Sequence, residues 1–431
     1  MTKRNTLPGK PEALSVKRNA LWNTVGSFIY LAANWLITVL VVVLGSGYSD
    51  SGTLAVAMAV GNIYATIILF RVRPIQVSDV NEQFAAGEYV SLRILCSLIG
   101  AGFCLVYSLF TVASADMPVV LLYMAFKCTD SFVDVYEGVV QQHGRLDYPA
   151  VSQILRGVLV LVLFSVGMVV FRNLAVAVRL MTVGSLVVVV CYDVPKASMF
   201  ANVKPKFSRK HVALLFGMCM PGFLASIACT FVVSISRQIF GLNFGSEALG
   251  IYAAVATPTA VVQALVGYLY APLLGPMAKN WAQGNTKYLS KTIGRVAVLV
   301  TLATAACIVL GKCFGEWALT LVYGQTIAGY SNLLTLMLVC TAVTGMMYFL
   351  VDMLVIFRDF RGSIIASLVA LLATPVFITV FYQSFDYNNI SIVITFAYSC
   401  GAIVALWFIS KDITRKSQMH VDTGSKQVGN E

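Results

Sequence analysis

Apolar runs of about twenty residues, the length a membrane-crossing helix needs, recur along the chain and are separated by short Gly-, Pro- and charge-containing stretches. They predict twelve helices. Six fall in the first half, at Leu21–Leu44, Thr53–Phe70, Val90–Ala113, Pro118–Val140, Ala150–Val170 and Leu174–Tyr192. Six fall in the second, at Val212–Phe240, Leu249–Leu274, Thr292–Leu310, Ser331–Phe357, Gly362–Phe381 and Ile390–Ile409. Pro221–Gly222 and Thr257–Pro258 lie inside two of these runs, where a missing amide donor can bend a helix or free a carbonyl.

The polar residues between the runs set the orientation. Alternate loops hold Arg71, Arg73 and Arg93; Arg145 and Arg156; Lys196, Lys204, Lys206, Arg209 and Lys210; Lys279, Lys287, Lys291 and Arg295; and Arg358 and Arg361. Both tails are basic as well, whereas the remaining loops hold only Arg172 and Lys312. Basic residues collect on the cytoplasmic side, so both termini are expected there. The basic N-terminal stretch lacks a short apolar region with a small-residue cleavage site and is read as a retained tail.

Composition fits this class: 58% of the 431 residues are hydrophobic and 11% charged, about half the usual charge of a soluble domain. The net charge of +11 is then topogenic and faces lipid headgroups; nucleic acid is not an expected partner.

The two halves resemble each other. Gly45–Val60 (GSGYSDSGTLAVAMAV) reads against Gly241–Ala256 (GLNFGSEALGIYAAVA), and Phe84–Tyr89 against Trp281–Tyr288, at corresponding places. Six spans per half is an even number, so the copies share one orientation, related by an axis along the membrane normal. The expected fold is an all-α polytopic membrane protein: twelve transmembrane helices in two pseudo-symmetric six-helix bundles around a central cavity. The expected divisions are a tail at 1–18, a lobe at 19–193, a linker at 194–211, a lobe at 212–410 and a tail at 411–431.

Ionisable residues inside spans are costly and mark pairing or pathway positions. The fourth run carries Lys127, Asp130, Asp134 and Glu137, three, four and three residues apart and so on one helix face. Arg71, Arg73 and Arg156 end or begin neighbouring runs on the side toward which this stripe points. Three roles stay open for it: ion pairs within the first bundle, a cation site coupling transport to sodium or protons, or substrate contact. Arg179, Arg237 and Asp352 are the other charges inside spans, and the two arginines have no acidic partner in their own runs. A forked guanidinium suits phosphate. An arginine snorkelling to headgroups is the plainer alternative, strongest for Arg237 near its helix end. The ten cysteines are scattered, no Cys/His cluster has metal spacing, and none of the three histidines lies in a span. No metal, cofactor or catalytic constellation is expected.

Four stretches, ALWNTVGSFIYLAANWL, RVRPIQVSDV with FAAGEYVSLRIL, DVYEGVVQQHGRLDYPAVSQILRG and SRQIFGLNFGSEALGIYAAVATP, resemble the lipid-linked oligosaccharide flippases of the Wzx, or polysaccharide-transporter, family. The likeness runs in order through most of the chain and fades in the last three spans. It implies two six-helix lobes around a V-shaped cavity in a bacterial cytoplasmic membrane. The cargo it implies is an undecaprenyl-diphosphate-linked repeat unit, bound for capsule, O-antigen or exopolysaccharide, with other polysaccharide-assembly proteins as partners. It also implies a basic position before the GLNFGSEALGIY loop, here Arg237; Arg179 matches no motif. A cation-coupled exporter of multidrug or toxin cargo with the same fold is the alternative. A membrane glycan polymerase or acyltransferase is a second alternative, disfavoured by the short external loops.

Overall fold

The computed structural model describes residues 14–45, 48–79, 83–259, 263, 270, 273, 277, 280–281 and 283–428. Among them there is no strand, and fourteen α-helices follow one another. Helices α1 (Val16–Leu44), α2 (Tyr48–Leu69), α3 (Val72–Ser78), α4 (Ala86–Thr111), α5 (Met117–Gln142) and α6 (Asp147–Val170) come first. Next are α7 (Leu174–Val188), a π-helical turn (Val189–Asp193), α8 (Val194–Ser198), α9 (Arg209–Phe244) and α10 (Ser246–Ala256). Last are α11 (Thr286–Tyr323), α12 (Leu333–Ile356), α13 (Phe360–Phe381) and α14 (Asn389–Val428).

Among the described residues, ten segments are long and apolar enough to cross a bilayer. Helix α5 matches them in length but carries the four-charge stripe, and α10 is the described start of the expected eighth span, whose remainder lies largely outside the described residues. The protein is an all-α, multi-pass membrane protein. Its outward side chains agree with that: Phe110, Leu109 and Leu372 are among many large apolar residues left exposed, as lipid-facing positions must be.

Several helices differ from the sequence expectation at their ends. The sixth span does not stop at Tyr192: α7, the π turn and α8 run on continuously to Ser198. Pro195 falls just after the π-helical turn and does not end the run. Likewise Pro221 lies within α9 without ending it. Helix α10 ends at Ala256, just before Thr257–Pro258. The repeated loops have matching local roles: Phe84–Tyr89 leads into α4 and the described residues of Trp281–Tyr288 lead into α11.

The chain divides into two compact units, Met1–Phe223 and Leu224–Glu431. In the first, α2 is central, packed on α4 and α5, and more than half of its residues are buried. Helix α1 lies along α6, which continues onto α7. Small residues permit that approach: a Cβ on Gly26 would stand 2.5 Å from the Cα of Ala150, and one on Gly157 would meet Tyr30 and Ala33. Asn19 of α1 closes the α5–α6 turn, donating to the Gly144 carbonyl (2.8 Å) and accepting from the Leu146 amide (2.8 Å). The second unit packs α14 against α12 and α13, with α11 on α12. There Tyr398 and Tyr382 donate to the carbonyls of Cys229 and Ser236 on α9.

Candidate functional site

The first unit holds a partly open cavity of about 230 Å³ whose polar lining comes from four helices, Tyr30 on α1, Arg73 on α3, the α5 stripe with Ser131, and Arg156 on α6, with Ala65 and Leu69 of α2 on its apolar side. Helical periodicity puts Lys127, Asp130, Asp134 and Glu137 on one wall. The close α1–α6 packing then brings Tyr30 and Arg156 to face Asp130.

Asp130 is held from three sides. The Arg156 guanidinium approaches to 2.5 Å, the Tyr30 hydroxyl donates to both carboxylate oxygens (2.7 and 2.9 Å), and the Lys127 ammonium lies at 3.5 Å. Asp134 accepts from Arg73 at 3.1 Å and from Arg93 at 2.7 Å. Glu137 pairs with Arg73 at 2.9 Å, with Arg156 reaching 3.8 Å and the Gln153 amide at 3.5 Å. Arg73 also donates its Nε to Gln141 at 3.0 Å. The carboxylates are therefore all engaged by arginine.

Lys127 is held more loosely than the arginines. Its side chain is 18% exposed, with one ion pair at 3.5 Å and the rings of Tyr123 and Phe126 5.6 and 5.4 Å from its nitrogen.

The break between α2 and α3 explains how two arginines reach Asp134. Phe70 and Arg71 have φ of 44° and 55°, so the chain leaves α2 in the left-handed region and restarts as α3. That turn carries Arg73 to the stripe. It also leaves carbonyls at the end of α2 without helical partners. Arg93 Nη1 donates to one of them, the Ile68 oxygen, at 2.5 Å while Nη2 holds Asp134.

Lys127, Asp130, Asp134, Glu137, Arg73 and Arg156 thus converge. Arg71 is exposed at the start of α3 and does not line the cavity. Arg179 is exposed on α7 and makes no ion pair among the described residues. Arg237 and Asp352 belong to the second unit. Asp352 accepts from the Tyr270 hydroxyl at 3.2 Å. Arg237 is half-buried near Tyr252 and Cys340, and its Nε is buried with no hydrogen-bond partner among the described residues.

Two members of the network escaped the sequence reading. Arg93 groups with the loop arginines by sequence although it lies inside the predicted third span, and that position is the available signal. Tyr30 carried no signal, because its role depends on how closely α1 meets α6.

No family model and no curated protein matches the sequence. The solved structures supply the comparison. An inward-closed structure of the lipid II flippase MurJ is similar at a TM-score of 0.69, with 10% identity, over 92% of this chain and 90% of that one. An inward-facing multidrug resistance MATE transporter of the MOP superfamily aligns at 0.64, with 15% identity, over 94% and 96%. The chain has the fold of the MOP-superfamily transporters. A third structure, a MOP transporter from Pyrococcus furiosus described as having a binding pocket of reversed polarity, aligns at 0.61 with 16% identity over 93% and 95%.

Proposed function

We propose that the protein is a flippase that moves an undecaprenyl-diphosphate-linked oligosaccharide across a bacterial cytoplasmic membrane by alternating access. The observation that carries this reading is an asymmetry of charge. Asp130, Asp134 and Glu137 are each occupied by arginine, so the cavity offers a cationic cargo no bare carboxylate. Arg237, by contrast, makes no ion pair among the described residues, and its buried Nε, like those of Arg93 and Arg156, has no acceptor there. A diphosphate supplies acceptors of the geometry that a guanidinium prefers. The likeness to a lipid II flippase supports a lipid-linked cargo, as do the four stretches quoted above. Flipping makes and breaks no bond, so the reading calls for no cofactor. Its energy would come from a sodium or proton gradient, and its partners would be membrane lipid and polysaccharide-assembly proteins.

A second reading, a cation-coupled exporter of the same fold, draws support from the likeness to multidrug transporters. In that case the α5 stripe would bind the coupling ion or cargo, and one of its carboxylates would have to leave its arginine. Gene deletion separates the two. The flippase reading expects lipid-linked repeat units to accumulate on the cytoplasmic side; unchanged lipid-linked pools with heightened sensitivity to toxic cations would favour the exporter.

A further inference from the structure

The segment between α8 and α9, residues 199–208, joins the ends of two spans, so it lies at the membrane boundary. Its inner side is fastened to the first unit. Phe200 and Val203 are buried, and Phe200 lies 5.1 Å from the His143 ring. The Lys206 amide donates to the Gly87 carbonyl at 3.0 Å, and Gly87 has no room for a Cβ because the Lys204 carbonyl occupies that place. Glu88, almost fully buried at the start of α4, holds the far end: His211 Nδ1 is 3.0 Å from both carboxylate oxygens and the Lys206 ammonium is at 3.5 Å. Phe84 meets the His211 ring edge-on at 5.7 Å.

This fastening leaves an outward face of one character. Lys204, Arg209 and Lys210 are exposed, Phe207 is 67% exposed between them, and the stretch from Val194 to His211 contains no acidic residue. Three basic residues, unpaired among the described residues, with an aromatic side chain at the end of a span form the composition that holds anionic headgroups, the charges meeting phosphate and the ring entering the interface. Fixing the backbone beforehand lowers the ordering cost of binding.

We infer that residues 204–210 form a docking face for anionic phospholipid, fastened to the first unit through Glu88–His211 and Lys206–Gly87. Its ligand is the headgroup phosphate of a lipid in the adjoining leaflet, bound as part of a surface rather than as a free ion.

The test uses the full-length protein, reconstituted in equimolar phosphatidylglycerol and phosphatidylcholine and re-extracted, with mass spectrometry counting the phospholipid retained per chain. The wild type is expected to retain phosphatidylglycerol over phosphatidylcholine, and the triple variant K204Q/R209Q/K210Q, which removes three charges of about 1 kcal/mol each, to lose that preference by about tenfold or more. Phe207→Ser keeps every charge and should also weaken retention. Removing two cations elsewhere (R172Q/K312Q) should leave it unchanged. Equal retention of the two lipids by the wild type, or wild-type preference in both the triple variant and Phe207→Ser, would overturn the inference. Displacement of the lipid by millimolar inorganic phosphate would overturn it as well, since the face would then be a free-anion site.

Discussion

The Arg93 guanidinium, with no exposed surface, lies 2.7 Å from Asp134 and joins that carboxylate to the last turn of α2. The pair makes part of the α5 stripe an internal fastening of the first unit. Removing one partner of a buried pair strands the other charge, at a cost of about 3–5 kcal/mol, whereas replacing both by apolar residues costs far less. Arg93→Leu and Asp134→Leu should each lower abundance and melting temperature sharply, with R93L/D134L recovering part of the loss. Thermal unfolding of the purified variants checks this; additive losses in the double variant would contradict it.

Asp134→Asn separates pairing from ion coupling. The residue serves two arginines at 3.1 and 2.7 Å. The expected outcome is loss of protein from the membrane, read by quantitative immunoblotting. Full abundance with abolished transport would instead assign Asp134 to coupling.

Arg237 has the opposite expectation. Its Nε has no hydrogen-bond partner among the described residues, so truncation removes no such bond there. Arg237→Ala should leave protein level near normal and cut surface polysaccharide, while Arg237→Lys, which keeps charge but not the fork, should restore only part of it. Normal surface polysaccharide in Arg237→Ala would remove the residue from cargo binding.

The α1–α6 contact positions Tyr30 and Arg156 and leaves no slack. Gly26→Ala would push a methyl group into the Ala150 backbone, and overpacking of this kind costs about 1–3 kcal/mol. A lowered melting temperature is expected, together with reduced transport at unchanged abundance as the Tyr30–Asp130 hydrogen bonds lengthen. An unchanged melting temperature would show that the two helices can part without cost.

The spans were legible because twenty-residue apolar runs have few alternatives, and the stripe on α5 because helical spacing alone decides which side chains share a face. Helix ends were less so. The continuation of α7 through a π turn into α8 depends on backbone hydrogen bonding that Pro195 conceals, and α14 runs beyond Ile409 because charged residues can extend a helix once it has left the bilayer. The partners of the stripe were legible only in part. Arg73 and Arg156 flank it in the order of spans. Arg93, however, reaches Asp134 because Phe70 and Arg71 take left-handed conformations that open the end of α2, and no pattern of polarity announces such a turn.

The cargo's charge is the central claim, and reconstitution tests it most directly. Proteoliposomes holding the full-length protein would be loaded with a fluorescent undecaprenyl-diphosphate-linked oligosaccharide, and with a lipophilic cationic dye in parallel. Protein-dependent transfer of the glycolipid between leaflets, lost in Arg237→Ala, with no gradient-driven movement of the dye, is the predicted result. Transport of the dye with the glycolipid left in its original leaflet would contradict it.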